Sequence, residues 1–228
     1  TMKNQNQQPT PTSQEQTEAT ADVIKLGIDV HQRRYVAVSQ TDNETMRSPR
    51  SFGPDEFIAW ARQLAGGARR VVACYEAGCF GYVLYRRLTA LGIECLVVAP
   101  RKWEQSVKTD ARDARELCSN LDRYLNGNGK ALTLVHVPTP EQERRRSLSR
   151  QRRSLSEELQ RIQNMGTSHG RYYGEHVPSD WWKPKVFARL RETLPEFLIE
   201  LLEPWQQVLE VLGQQLKEAT GREERQAA

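Results

Sequence analysis

Short apolar runs of strand length alternate with helical patterns between residues 22 and 137, and this order limits the fold more than any other feature of the sequence. Three strand patterns come first: DVIKLGIDV, RYVAVSQT and TMRSPRSF. Helix, strand, helix, strand and helix patterns follow, and a last short strand is predicted in ALTLVHV. Hairpin-like strands followed by crossover units predict an α/β fold with a mixed sheet flanked by helices.

The sequence after Pro140 is helical in pattern. Four apolar residues recur on one side of its first helix: Leu148, Leu155, Leu159 and Ile162. A narrow apolar stripe between charged flanks predicts a coiled-coil pairing arm, with a helix lying on its own domain as the alternative. A Gly/Pro/aromatic connector is predicted over residues 167–184, and breaks in the later helical pattern are predicted at Pro195 and Pro204.

Composition divides the chain into four segments. Residues 1–21 are rich in Gln, Thr and Pro, which predicts a disordered N-terminal tail. Residues 22–137 carry the α/β pattern and residues 138–220 the helical, coiled-coil pattern. Residues 221–228 are predicted to be a frayed tail.

Composition also excludes several classes of protein. The sequence has no run of about 18 apolar residues, so it predicts no membrane span, and its first residues do not resemble a secretory signal. It contains no phosphate-loop pattern and no serine at a strand-to-helix elbow. Its cysteines form no C-x-x-C pair, which favours buried, reduced thiols in a cytoplasmic protein over a zinc site or disulfides: Cys74, Cys79, Cys95 and Cys118.

Four acids stand where ordinary packing does not require them. Asp29 ends the first strand pattern and Glu76 ends the strand pattern VVACYE. Asp110 and Asp113 lie three residues apart on one helix face, where like charges repel unless something neutralises them. A carboxylate at the end of a buried strand is costly unless it is paired or holds a metal. Together the four acids predict a site for Mg²⁺ or Mn²⁺, and two ions about 4 Å apart would suit phosphoryl displacement.

Each acid taken singly has an ordinary interpretation. Asp29 could cap a turn or helix, and Asp110 could be the N-cap of a helix beginning at Ala111. Glu76 could pair with Arg70 or Arg86, and Asp113 with Lys108 or Arg112. His31 could be a proton shuttle or phosphate contact, or simply a polar residue at a strand exit.

Three stretches together resemble a known family: GIDVHQRRYVAV, CYEAGCFGYVLYRRLTALGIECLVVAPR and KTDARDARELC. They resemble the N-terminal domain of DEDD-type insertion-sequence transposases, the group that includes the Piv-like DNA invertases. The likeness covers residues 23–125 and, more loosely, the arginine-rich helix to about residue 170. Its specific part is the order of a strand-end Asp, a strand-end Glu-Ala-Gly and Lys-Thr-Asp-x-x-Asp-Ala.

The resemblance implies an RNase-H-like fold similar to the RuvC Holliday-junction resolvase. It implies that Asp29, Glu76, Asp110 and Asp113 are the catalytic acids and bind Mg²⁺, or Mn²⁺. It implies DNA and an element-encoded guide (bridge) RNA as partners, and assembly into a homo-oligomer, a dimer or tetramer, through the coiled-coil region. A cytoplasmic, nucleoid-associated protein of a bacterium or archaeon, with no membrane partner, is expected.

Basic residues near the acids and on the long helix are candidate nucleic-acid contacts: Arg101, Lys102, Lys108, Arg112, Arg144 and Arg145. A charge run of this kind is also typical of a solvated helix face.

The sequence departs from the family in one large respect. Family members are longer and carry a second, C-terminal domain with a nucleophilic serine, and nothing after Thr220 resembles it. We therefore expect complete strand exchange to require more than these residues. A stand-alone metal-dependent Holliday-junction-type nuclease and a non-catalytic module for nucleic-acid binding and oligomerisation are the alternatives.

Overall fold

The structure is a computed structural model that describes residues 21–100 and 109–227. The chain divides into two compact units, one ending at Val137 and the other beginning at Pro138. The first unit is α/β and the second is helical. No helix in the described part of the chain is both long enough and apolar enough to cross a membrane.

The described residues of the first unit form five strands and three helices, in the order β1 (Ala21–Val30), β2 (Tyr35–Thr41), β3 (Arg50–Phe52), α1 (Pro54–Gly67), β4 (Ala68–Glu76), α2 (Val83–Thr89), β5 (Glu94–Val98) and α3 (Asp110–Leu125). Across the sheet the strand order is β3-β2-β1-β4-β5. The pairs β1–β2 and β2–β3 are antiparallel, whereas β1–β4 and β4–β5 are parallel. The mixed sheet with flanking helices confirms the predicted α/β, RNase-H-like fold class.

Two strand predictions were longer than the strands observed. The third predicted strand shortens to Arg50–Phe52, directly after Pro49, whose missing N–H cannot join a sheet ladder. The stretch ALTLVHV gives only an isolated bridge between Leu134 and Val98.

Alternating side chains of β1 serve two different faces of the sheet. Ile24, Leu26 and Ile28 are buried in the core that also contains residues of α1 and α2. Lys25 and Gly27 point the other way, toward α3, as the two-residue period of a strand requires. Helix α3 therefore covers the face opposite α1 and α2, and Asp29 continues the row that faces α3.

Contacts between β1 and α3 follow one ridge of the helix. Its residues recur every fourth position, which places them on one helix face: Asp110, Ala114, Cys118 and Asp122. The buried Lys25 forms an ion pair with Asp122 and donates to the backbone oxygen of Asp42 at 2.7 Å. Next along the strand, Gly27 lies directly under the helix, and Asp29 follows at the end that faces Asp110.

The absence of a side chain at Gly27 permits this close packing. A Cβ atom there would lie 2.2 Å from the backbone nitrogen of Cys118 and 2.3 Å from the carbonyl oxygen of Ala114. These are backbone atoms, which cannot move aside by changing rotamer. Gly27 thus sets how closely α3 approaches the sheet, and hence where the acids at the start of α3 lie.

The second unit contains three helices, α4 (Pro140–Tyr172), α5 (Pro184–Thr193) and α6 (Glu196–Ala227). Helix α4 continues through the first part of the stretch predicted as a connector. Gly166 and Gly170 are buried within it and make room for Trp181 and Val177, which occupy the space beside them. The break predicted at Pro195 is confirmed, because α6 begins directly after it.

The break predicted at Pro204 was wrong, because Pro204 lies inside α6. Proline removes one backbone hydrogen bond, but packing of the apolar face can hold a helix together across that gap. Leu202 and Leu209 on either side of Pro204 are fully buried. Helix α6 also continues to Ala227, through residues that were predicted to fray.

The apolar stripe of α4 is partly used within the chain, since α4 packs along α6. Ile162 is 2% exposed and Leu159 packs beside it in the core of this unit, whereas Leu148 and Leu155 are half-buried. This packing agrees with the alternative of a helix lying on its own domain. A coiled coil between copies stays a prediction. Of the tail predicted over residues 1–21, residues 1–20 lie outside the described residues, and Ala21 is the first residue of β1.

The cysteines are free thiols, as predicted, but one of them is not buried. Cys74, Cys95 and Cys118 are buried, and burial raises the pKa of Cys95 to about 12 and that of Cys118 to about 11. The prediction was wrong for Cys79, which is exposed after the end of β4.

Candidate functional site: an acidic cluster at the carboxyl end of β1

Two aspartates converge on one histidine at the edge of the sheet. The His31 Nε2 atom lies 2.9 Å from Asp29 Oδ2 and 3.4 Å from Asp110 Oδ2. One ligand-type atom from each of the three side chains lies within 4.8 Å of the others. All three are intermediate in exposure, so the cluster is open to solvent on one side.

The β1–β2 hairpin fixes His31 in this position. Val30 and Tyr35 are the last pair of the ladder, and the connection closes with a hydrogen bond from His31 N to Arg34 O of 3.0 Å. The short connection turns His31 back over the end of β1. It also places the Arg34 guanidinium on Asp110, to which it donates through Nη2.

Asp110 is the first residue of α3 and not its cap. Thr109 has extended backbone angles (φ −137°, ψ 140°), and its hydroxyl oxygen accepts a hydrogen bond from Arg112 N at 3.4 Å. The hypothesis that Asp110 caps this helix was therefore wrong: the hydroxyl one position earlier performs that function. The Asp110 carboxylate is consequently directed at His31 and Arg34.

The environment of Asp29 disfavours the ionised form of its carboxyl group. Burial raises the pKa of Asp29, because a partly desolvated carboxyl group resists ionisation. The charge and hydrogen bond of His31 oppose that rise, whereas the charges of Asp110 and Asp113 add to it. A group of carboxylates that disfavour one another's ionisation is typical of a site that receives a cation.

Glu76 and Asp113 approach the same edge from two other positions. Ile28 pairs with Tyr75 in the parallel ladder between β1 and β4. The next residues, Asp29 and Glu76, are therefore at neighbouring positions on the same face of the sheet. Asp113 lies almost one turn after Asp110 on α3, half-buried, and is close enough to affect the pKa of Asp29. The direct contact group is Asp29, His31 and Asp110.

One of the ion pairs suggested as an ordinary role for these acids, Arg70 with Glu76, is not formed. Arg70 pairs with Glu94 at 2.7 Å, and not with Glu76 as one alternative required. Arg112 is exposed, and its backbone N–H donates a hydrogen bond to the hydroxyl oxygen of the N-cap residue Thr109.

Sequence reasoning gave His31 too little weight and missed Arg34. His31 follows the strand-end Asp29 by two residues, and that spacing inside a tight hairpin was the available signal. Arg34 had no signal of its own, since only the hairpin geometry brings it back to Asp110.

The predicted nucleic-acid contacts divide into two groups. Arg101, Lys102 and Lys108 lie outside the described residues. Arg112, Arg144 and Arg145 are exposed, and Arg145 forms an ion pair with Glu141 one turn away at 3.2 Å. The three described arginines are thus accessible to solvent, as both a phosphate contact and a solvated helix face would be.

The donor set at this edge fits a divalent cation. Carboxylate oxygens are the ligands that Mg²⁺ and Mn²⁺ prefer, and imidazole nitrogen is accepted more readily by Mn²⁺ and other transition metals. Asp29 and Asp110 already direct oxygens to one point, and His31 contributes a ring nitrogen there. The described residues at this edge therefore suit an ion that accepts two or more carboxylates.

Comparison with known proteins gives three relatives of one kind. The chain is 41% identical over 120 residues to a protein of Sinorhizobium fredii (strain NBRC 101917 / NGR234) provisionally named transposase y4qE, covering 49% of this chain and 29% of that protein. It is 33% identical over 122 residues to a second such protein of the same strain, provisionally named transposase y4rJ, covering 51% and 30%. No protein-family model matches the chain.

The third relative carries a more specific name. It is the transposase for insertion sequence element IS1533 of Leptospira borgpetersenii, 30% identical over 145 residues, covering 60% of this chain and 40% of that protein. The chain thus spans less than half the length of each of these relatives. It is similar to these three proteins over about half or more of its own residues.

Proposed function

We propose that this chain is the acid-bearing part of a DNA transposase or recombinase of a mobile insertion sequence. The convergence of Asp29 and Asp110 on His31, at the carboxyl edge of an RNase-H-like sheet, is the observation that carries the proposal. The likeness to three transposases supports the same activity. The reaction would be metal-dependent cleavage of a DNA phosphodiester followed by strand transfer.

The four acids would share the metal. Asp29 and Asp110 offer the oxygens that already lie together, and Glu76 and Asp113 approach from the adjacent strand and from the next turn of α3. A bound Mg²⁺ or Mn²⁺ would stabilise negative charge that develops on the scissile phosphate. His31 orients the Asp29 carboxylate through its 2.9 Å contact.

The remaining parts of the proposal rest on the family resemblance. They are guidance by an element-encoded RNA, assembly into a dimer or tetramer, and attack by a serine on a C-terminal domain like that of the family members. The exposed arginines of α4, including Arg144 and Arg145, are compatible with RNA or DNA phosphate.

Mn²⁺ titration calorimetry on the 228-residue chain tests the metal site. We expect Asp110→Asn to weaken Mn²⁺ binding by at least about tenfold, because a ligand oxygen is replaced by a neutral amide. Asp180→Asn, a matched change of a partly exposed aspartate in the helical unit, should leave binding unchanged. Circular dichroism should show both variants folded.

Recombination by the element's complete transposase is the second measurement. Asp110→Asn should abolish it, and undiminished recombination in that variant would refute the assignment.

Incubation of the 228-residue chain with Mg²⁺ and branched DNA separates the rival activities. Cleavage would favour the stand-alone nuclease, because no serine from elsewhere would then be needed. Salt-dependent binding of structured RNA without any Mn²⁺ binding would favour the non-catalytic module.

A further inference from the structure

A cleft lies beside the acidic cluster, between the outer strands of the sheet and the start of α3. Its volume is about 520 Å³. It is lined by Arg34, Val36, Pro49, Arg50, Ser51, Thr109, Asp110 and Ala111. Asp110 thus belongs both to the acidic cluster and to the wall of this cleft.

The cleft lining has the chemistry of a phosphate site. It presents the guanidinium group of Arg34 and two exposed hydroxyl side chains, those of Ser51 and Thr109. Guanidinium groups bind phosphate oxygens by paired, charge-assisted hydrogen bonds. Asp110 is the acid in this lining, and its charge opposes an anion unless a cation neutralises it.

The guanidinium of Arg50 lies on the other face of the sheet, although Arg50 is part of the cleft lining. Its guanidinium carbon is 4.8 Å from the centroid of Phe52 and 5.2 Å from that of Trp60 in α1. Arg50 pairs with Ala37, whose side chain is buried in the core shared with α1 and α2. Arg34 is therefore the arginine that can serve this cleft.

Arg34 occupies the oxygen that a metal would need. Its Nη2 atom and the His31 Nε2 atom both approach Oδ2 of Asp110. A divalent cation bound between Asp29 and Asp110 would repel the guanidinium and compete for that oxygen. Arg34 is 57% exposed, so its side chain is free to turn toward the cleft that it already lines.

We propose that this cleft binds a backbone phosphate of a nucleic-acid strand through Arg34, and that Arg34 is released to it from Asp110 when a divalent cation binds. The proposal rests on the proposed function, since it requires Asp110 to be a metal ligand. Metal and nucleic acid then assist each other's binding, because the metal frees Arg34 and the phosphate accepts it.

Mn²⁺ titration calorimetry without nucleic acid tests the release of Arg34. Removing a competing exposed ion pair should strengthen Mn²⁺ binding about two- to fivefold in Arg34→Ala. Arg33→Ala, an exposed neighbour outside the cleft lining, measures the effect of losing one nearby charge. Arg50→Ala should behave like Arg33→Ala, because Arg50 binds rings and not Asp110.

Fluorescence anisotropy with a short labelled oligothymidine in the presence of Mn²⁺ tests the cleft. Arg34→Ala should weaken binding and lower the slope of log affinity against log salt by about one phosphate contact. Without Mn²⁺ the effect of Arg34→Ala should be smaller, because Arg34 is then engaged by Asp110.

Two outcomes would overturn the inference while leaving the metal site intact. One is that Arg34→Ala changes Mn²⁺ affinity no more than Arg33→Ala, although Asp29→Asn abolishes Mn²⁺ binding. The other is that, in the presence of Mn²⁺, Arg34→Ala binds the oligothymidine as Arg33→Ala does. If the unaltered chain binds no Mn²⁺, this inference and the proposed function both fail.

Discussion

The two units use glycine at close contacts, but the neighbour that each glycine admits is different. In the α/β unit Gly27 admits the backbone of α3, with a virtual Cβ only 2.2 Å from Cys118 N. In the helical unit Gly166 admits the ring of Trp181, with a virtual Cβ 2.3 Å from its nearest atoms. Displacing a backbone neighbour moves a whole helix, whereas displacing a ring moves only one side chain. Only the first contact therefore couples packing to the position of the acids.

Gly27→Ala should have the largest effect of the changes that test this contrast. The added methyl group would push α3 away from β1 and so cost about 3 kcal/mol or more of stability. Because Asp110 moves with α3, Mn²⁺ binding should weaken as well. Urea unfolding by circular dichroism and Mn²⁺ calorimetry measure the two losses. Gly66→Ala in α1, where a Cβ meets nothing within 4 Å, is the control and should be neutral or slightly stabilising.

Full stability together with full Mn²⁺ affinity in Gly27→Ala would contradict the proposed difference between the two glycine contacts. A variant that lost stability but bound Mn²⁺ normally would show that α3 adjusts without moving Asp110.

Gly166→Ala should have an intermediate effect confined to the helical unit. Trp181 is fully buried and donates through Nε1 to Gln163 O at 3.1 Å, so its ring has little freedom to move. We expect a net loss of about 1–2 kcal/mol, because overpacking exceeds the gain in helix propensity from replacing glycine. Tryptophan fluorescence during urea unfolding measures this loss, since Trp181, Trp182 and Trp205 all lie in this unit.

Mn²⁺ affinity is the readout that separates the two glycine variants. It should be unchanged in Gly166→Ala, and a decrease there equal to that of Gly27→Ala would remove the distinction between the units.

Asp29→Asn should have the smallest effect on stability, and a favourable one. Since the pKa of Asp29 is raised in the folded protein, the folded chain holds this proton more tightly than the unfolded chain. Ionisation of Asp29 therefore costs stability as the pH rises through and above its ordinary value of 3.8. In the presence of EDTA at neutral pH, the variant should gain less than about 1 kcal/mol, given solvent screening.

The gain should disappear below pH 3.8, where the wild-type carboxyl group is protonated in both states. Urea unfolding at the two pH values measures it. Lower stability of the variant at neutral pH would show that the His31 contact outweighs the cost of burial at Asp29.

The parts of the fold that repeat a simple pattern could be predicted from the sequence. The apolar runs gave β1, β4 and β5, and the acids at the ends of β1 and β4 were identified from those runs alone. Lys25 and Gly27 interrupt the apolar run of β1. Both residues contact α3, which lies more than eighty residues later in the sequence. Local patterns contain no information about such a distant partner.

Two errors came from local rules that packing overrides. Pro204 breaks a helix by propensity, yet the buried leucines around it hold α6 together. Asp110 is a good N-cap residue, yet Thr109, one position earlier, caps the helix. Arg34 was missed because a short hairpin reverses the chain direction and returns its side chain to a helix that comes much later.

The matched rows on β1 and α3 also limit how sequences of this kind can diverge. On β1 the spacing is two residues, between Lys25, Gly27 and Asp29. On α3 it is four residues, between Asp110, Ala114, Cys118 and Asp122. A single-residue deletion within α3 would rotate the positions beyond it by about 100° and separate one end of the row from its partner on the strand. Substitutions along the rows, except at Gly27, leave this spacing intact, whereas changes of length do not. A search for distant relatives should therefore score the two spacings jointly, K-x-G-x-D with D-x3-A-x3-C-x3-D, and tolerate a change of residue before a gap.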